Sequence, residues 1–96
     1  MMSLLKWFEE WYKSNCDGDW EHNCGIHIGT LDNPGWRIEI NLVNTELEDK
    51  VFDSLKIERT NDNWVHCRVE NSIFKGAGGT ENLEELLKIF KTWTVN

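Results

Sequence analysis

The stretch Cys16-Asp17-Gly18-Asp19-Trp20-Glu21-His22 holds more chemically capable side chains than any other part of the chain. Asp17, Asp19 and Glu21 alternate as carboxylates do in a calcium loop. The glycine, however, stands at the second position and no acidic residue closes the loop at the required spacing, so calcium is not expected. Cys16, His22, Cys24 and His27 are the ligand types that zinc prefers. On a strand running from 22 to 28, His22 and Cys24 would point to one face and His27 to the other, so the four could not meet at one ion. Cys24 and Cys67, each between apolar neighbours on expected strands, read as small buried hydrophobes. No metal is expected.

A cysteine enzyme needs an activated thiolate with a positioned base or a cradle of backbone amides. No cysteine here opens such a loop. Cys16 is followed by acidic residues, which raise a thiol pKa, and Cys67 sits mid-strand with His66 on the opposite face. The run Gly76-Ala77-Gly78-Gly79 before a helix suggests a phosphate-binding turn, but neither a P-loop Lys-Ser/Thr nor a Rossmann glycine spacing follows. Glu81, Glu84 and Glu85 in the first helical turn complement the helix dipole and repel phosphate. The glycines are expected to permit positive φ or close backbone approach where sheet gives way to helix.

These residues need elements to position them. Ser3 can cap a first helix whose apolar residues Leu4, Leu5, Trp7, Phe8, Trp11 and Tyr12 recur at helical spacing, ending near Cys16-Asp17-Gly18. Cys24, Ile26 and Ile28 then alternate with Gly25, His27 and Gly29, as in a strand with one buried face. Across a turn at Asp32-Asn33-Pro34-Gly35, the residues Trp36, Ile38, Ile40 and Leu42 form an antiparallel partner. Residues 44–50 form a connecting loop held by Leu47. A third strand uses Leu55 and Ile57, and a fourth uses Val65, Cys67 and Val69. Residues 73–75 add a short fifth. Asn82 with Glu85 caps a last helix with Leu83, Leu86, Leu87, Phe90 and Trp93 along one stripe. The expected class is α+β: a four- or five-stranded antiparallel sheet with the N-terminal and C-terminal helices packed on one face, in one domain over residues 1–96.

Seventeen acidic against ten basic side chains give a formal charge of −7, a field that repels nucleic acid and favours a basic protein partner. Six tryptophans in 96 residues supply large amphipathic rings, useful equally in a core and at a binding surface. The N-terminal stretch has no basic region followed by an apolar run, and no window is apolar enough to span a bilayer. Three cysteines do not make a self-contained disulfide framework and suit a reducing compartment. A cytoplasmic location, with no membrane partner, is expected.

Three stretches together resemble the immunity protein 53 family: Asp17-Gly18-Asp19-Trp20-Glu21-His22, Thr30-Leu31-Asp32-Asn33-Pro34-Gly35-Trp36, and Gly76-Ala77-Gly78-Gly79 leading into Asn82-Leu83 and Leu86. The likeness covers nearly the whole chain, including the Trp-rich opening helix and the closing helix with Trp93. It implies a cytoplasmic bacterial protein that neutralises a cognate toxin of a polymorphic toxin system, with no enzymatic activity. It does not say which residues touch the toxin. Two other classes stand beside it: a small metal-binding or cysteine-dependent enzyme using residues 17–27, and an adaptor for a partner that is not a toxin.

The residues themselves suggest a binding surface on Asp17, Asp19, Trp20 and Glu21, extended by Asp32, Trp36 and Glu39, because an aromatic anchor ringed by groups that exclude water is the usual form of a hot spot. A toxic nuclease is commonly basic, and an acidic protein would be steered to it. The plainer reading of the same loop is a solvated turn with Trp20 packed on the core, and Trp36 shares its alternation with the apolar Ile38 and Ile40. If this loop is the binding surface, reversing Asp17 and Asp19 is expected to weaken binding while leaving folding intact, because exposed loop carboxylates contribute little to stability.

Overall fold

The computed structural model describes residues 3–96. Helix α1 covers Leu4–Asn15, and Ser3 caps it as its sequence suggests, its hydroxyl accepting from the Lys6 amide at 3.1 Å. A four-residue helix, α2, spans Trp20–Asn23 and precedes strands β1 (Ile26–Leu31) and β2 (Gly35–Asn41). Strands β3 (Leu55–Thr60), β4 (Asn63–Glu70) and β5 (Ile73–Gly78) follow, and α3 (Leu83–Val95) closes the chain. All strand pairs are antiparallel, in the order β1-β2-β5-β4-β3.

In antiparallel pairs, residues directly opposite each other share a face. Ile26 lies opposite Ile40, Ile28 opposite Ile38, Ile40 opposite Phe74 and Val69 opposite Phe74, so the apolar positions form one continuous inner face. Phe8 and Trp11 of α1 and Leu86, Leu87 and Phe90 of α3 join Ile38, Ile40, Val65, Cys67 and Phe74 in a single buried cluster. Both long helices therefore cover the same face. Phe90 is the hub, its ring lying 4.9 Å from Trp11, 5.2 Å from Phe74 and 6.1 Å from both Trp7 and Phe8. Leu47 is buried and fastens the loop over residues 44–50.

Three local expectations are corrected. The first strand starts at Ile26, not Cys24, because α2 takes up Trp20–Asn23. The fifth strand does not stop at Lys75: it runs to Gly78 and lies at the centre of the sheet between β2 and β4. A Cβ built on Gly76 would stand 2.8 Å from Ile38 Cγ2 of β2 and 3.2 Å from Leu86 Cδ2 of α3, so the neighbouring strand and the helix together crowd the space a side chain would need. The glycines are strand residues that let the helix down onto the core. Finally, Asn82 does not cap α3 with its side chain. Its Oδ1 accepts from the Trp64 amide at 3.3 Å, while its Nδ2 donates to Glu85 at 2.9 Å and Asn63 at 3.0 Å, tying the helix start to β4.

The β4–β5 connection is a two-residue turn in which Asn71 and Ser72 both have positive φ, 54° and 61°. This is the primed geometry whose twist matches that of the flanking strands. A serine tolerates it poorly.

Candidate functional site

The acidic loop is more ordered than a solvated turn. The Asp17 carboxylate accepts from the backbone amides of Asp19 and Trp20, both at 2.9 Å, and so opens α2. The Glu21 carboxylate reaches back to the amides of Asp17 at 2.9 Å and Gly18 at 2.7 Å. Gly18 supplies the left-handed backbone, φ 97°, that lets the loop fold onto Glu21. Amides aimed at a carboxylate favour its charged form. Accordingly, the Trp20 and Asp19 amides hold Asp17 below the usual carboxylate range, and the amides around Glu21, first its own and then those of Asp17 and Gly18, do the same for Glu21.

Trp20 lies beneath this loop, 3% exposed. Its ring meets Trp11 edge-on at 5.9 Å and Tyr12 at 5.7 Å, and its Nε1 donates to the Asn41 carbonyl at 3.3 Å. In this fold it fastens the loop and does not present a ring to a partner. Asp17 and Glu21 are likewise occupied with backbone amides. Asp19 is exposed, and among the described residues its carboxylate has neither a hydrogen-bonding nor an ionic partner.

Trp11 joins this loop to a second one. Its ring packs on Trp20, and its Nε1 donates to Glu46 Oε1 at 3.0 Å. Glu46, Glu48 and Asp49 are all exposed, and Glu48 accepts from the amide of Asn44, itself at φ 67°. Two acidic loops thus meet over one aromatic pair at the end of the sheet where β1 begins and β2 ends. In the sequence this second loop reads as a connection, although Glu46, Glu48 and Asp49 place three acids within four positions.

The remaining expected positions lie elsewhere. Asp32 is exposed in the turn at the far end of β1, about 17 Å from the acidic pole at ~3.3 Å per strand residue. Trp36 is half-buried, and its Nε1 donates to the Thr80 carbonyl at 2.9 Å. Glu39 is on the opposite, open sheet face, in register between His27 and Lys75. That face is mixed in charge: Lys75 pairs with Glu70 at 2.9 Å, Arg68 with Glu70 at 3.5 Å and Lys56 with Glu58 at 3.8 Å. The acidic excess is therefore carried by loops and helices.

All three cysteines are free thiols, with Cys16 exposed, Cys24 half-buried ahead of β1 and Cys67 buried on β4. Burial pushes the Cys67 thiol up to about 12, so it stays protonated at neutral pH. Cys16 is exposed and donates to the Tyr12 carbonyl at 3.3 Å. Among the described residues no group of three or more His, Cys, Asp or Glu side chains is placed to hold a metal ion, and no helix is long and apolar enough to cross a membrane.

A family model described as Immunity protein 53 matches residues 5–95 of the chain. Comparison with curated proteins gave no match, and neither did comparison with solved structures.

Proposed function

Because this chain belongs to the immunity protein 53 family, we propose that it neutralises a cognate bacterial toxin domain in the cytoplasm by binding it directly, without catalysis. The observation that carries this reading is the acidic pole, where the Asp17–Glu21 and Glu46–Asp49 loops share the Trp11–Trp20 pair and Asp19 projects with no partner among the described residues. Fixed loops that hold carboxylates outward suit a basic partner, as nucleases commonly are, and a chain of net charge −7 would be steered to it. Asp17, Trp20 and Glu21 then serve the surface by holding its shape, with Asp32, Trp36 and Glu39 as outlying contacts.

The test is co-expression with the toxin domain encoded beside this chain, together with kinetics of the purified pair. Rescue of growth and a direct complex are expected. Asp19→Lys should slow association about tenfold at low salt and flatten its salt dependence, with the melting temperature unchanged. Undiminished killing and no complex would refute the reading; an Asp19→Lys protein that associates like the parent would move the contact away from the acidic pole.

A further inference from the structure

The sheet has two edges, and the chain treats them differently. β3 carries Lys56, Glu58 and Arg59, and its register shifts between Glu58 and Thr60. Arg59 is drawn aside by two bonds to Glu85, at 3.0 and 2.8 Å. Charges and a bulge are the ordinary means of stopping an edge strand from pairing with another chain. β1, with the sequence Ile-His-Ile-Gly-Thr-Leu, has none of them: no lysine, no carboxylate, no proline and no register shift.

The hydrogen-bonding pattern shows what that edge offers. The Asn41 amide donates to the Gly25 carbonyl at 3.1 Å, which makes Gly25 and Asn41 a hydrogen-bonded pair. Such pairs alternate along an antiparallel ladder, so His27, Gly29 and Leu31 face β2 with their backbone groups. Ile26, Ile28 and Thr30 turn theirs outward, and among the described residues nothing meets them. Ile28 is also 46% exposed, although it belongs to the apolar inner face, so a strand laid alongside would cover it.

We infer that β1 receives an extended, cationic segment of the toxin as a sixth strand of the sheet. This deepens the toxin-binding reading above and rests on it. Backbone groups of the added strand would satisfy Ile26, Ile28 and Thr30, and an apolar side chain would cover Ile28. Charge selects the occupant. The acidic loop with Asp17, Asp19 and Glu21 leads into β1, and Asp32 follows it directly, so both ends of the edge are anionic. An antiparallel pairing of two copies would set the acidic loop of each against Asp32 of the other, with −7 on both chains. A basic strand meets opposite charge at both ends.

Amide hydrogen exchange of this protein, free and bound to the neighbouring toxin domain, tests the inference. The amides of Ile26, Ile28 and Thr30 should exchange freely alone and become protected in the complex. Thr30→Pro removes one outward donor where a strand edge tolerates proline, and Ile28→Lys puts a guarding charge on the edge. Each should weaken the complex at least tenfold while the free variant melts close to the parent, and the two variants guard against misfolding of either. A complex in which those three amides exchange as in the free protein, or that both folded variants form with parental affinity, overturns the strand addition and leaves the immunity reading standing. No complex at all defeats both. A free protein that is a dimer, made monomeric by Thr30→Pro, would assign the edge to a second copy and also overturn the inference.

Discussion

Replacing Trp20 by alanine should unfold much of what holds the acidic pole together. The side chain is 3% exposed, contacts the rings of Trp11 and Tyr12, and donates to the Asn41 carbonyl. Truncating a buried Trp costs about 3–5 kcal/mol in lost burial and residual cavity. At ~0.05–0.15 kcal/mol per residue, a chain of 96 residues holds about 5–14 kcal/mol in total, so Trp20→Ala removes a large share. The melting temperature should fall by at least about 12 °C, since 1 kcal/mol corresponds to about 4–8 °C in a domain of this size. Trp20→Phe keeps most ring packing and loses the 3.3 Å bond to Asn41, for a cost of about 1–2 kcal/mol. Urea titrations followed by far-UV circular dichroism measure both variants against the parent. A Trp20→Ala protein within about 0.5 kcal/mol of the parent would refute the reasoning, since surface substitutions are what such small changes mark. Trp20 would then be a ring free to anchor a partner, and its loss would appear in toxin affinity alone.

Ser72→Gly should raise stability by about 1 kcal/mol, because glycine adopts the φ of 61° without strain; an unchanged melting temperature would contradict that backbone at the β4–β5 turn. The pKa values of Asp17 and Glu21 are lowered in the folded protein, so their contribution is fully present above the ordinary carboxylate values of about 3.9 and 4.3 and is lost as pH falls through the folded values. NMR titration should therefore give midpoints below those ordinary values for the Gly18, Asp19 and Trp20 amides, and midpoints at or above them would show that the loop is open in solution.

The parts legible in the sequence were those with a strong period. The stripe from Leu4 to Tyr12, the alternation from Trp36 to Leu42, and the stripe from Leu83 to Trp93 each bury one face, and burial is what periodicity encodes. Of β5 only the start at residues 73–75 was legible, because its inner residues after Phe74 are Gly76 and Gly78, which have no side chain to alternate. Its reason for being glycine lies in Leu86 and Ile38, residues remote in sequence. α2 escaped because four residues have no period, and a single side chain, Asp17, sets its start. The site was half legible. Clustered carboxylates can be seen in a sequence, but whether Trp20 faces water or Trp11 depends on packing, since an indole suits both. That β1 is an open edge could not be seen at all, because strand order is a property of the sheet, where β5 enters between β2 and β4.

That insertion has a consequence for synthesis. Strand β5 is the last of the strands to be made, yet it is the one that joins the β1–β2 hairpin to the β3–β4 hairpin. A nascent chain that has not reached Ile73 holds two separate ribbons, each with an edge awaiting a partner, and lacks the α3 residues Leu86, Leu87 and Phe90 that complete the core. Two-stranded ribbons alone are marginal in water, and open edges invite wrong partners. Shortening the chain at its C-terminus would therefore not yield a proportionally weaker protein. It would yield one with no assembled sheet, because the sheet and its core can close only after residues 73–95 have left the ribosome.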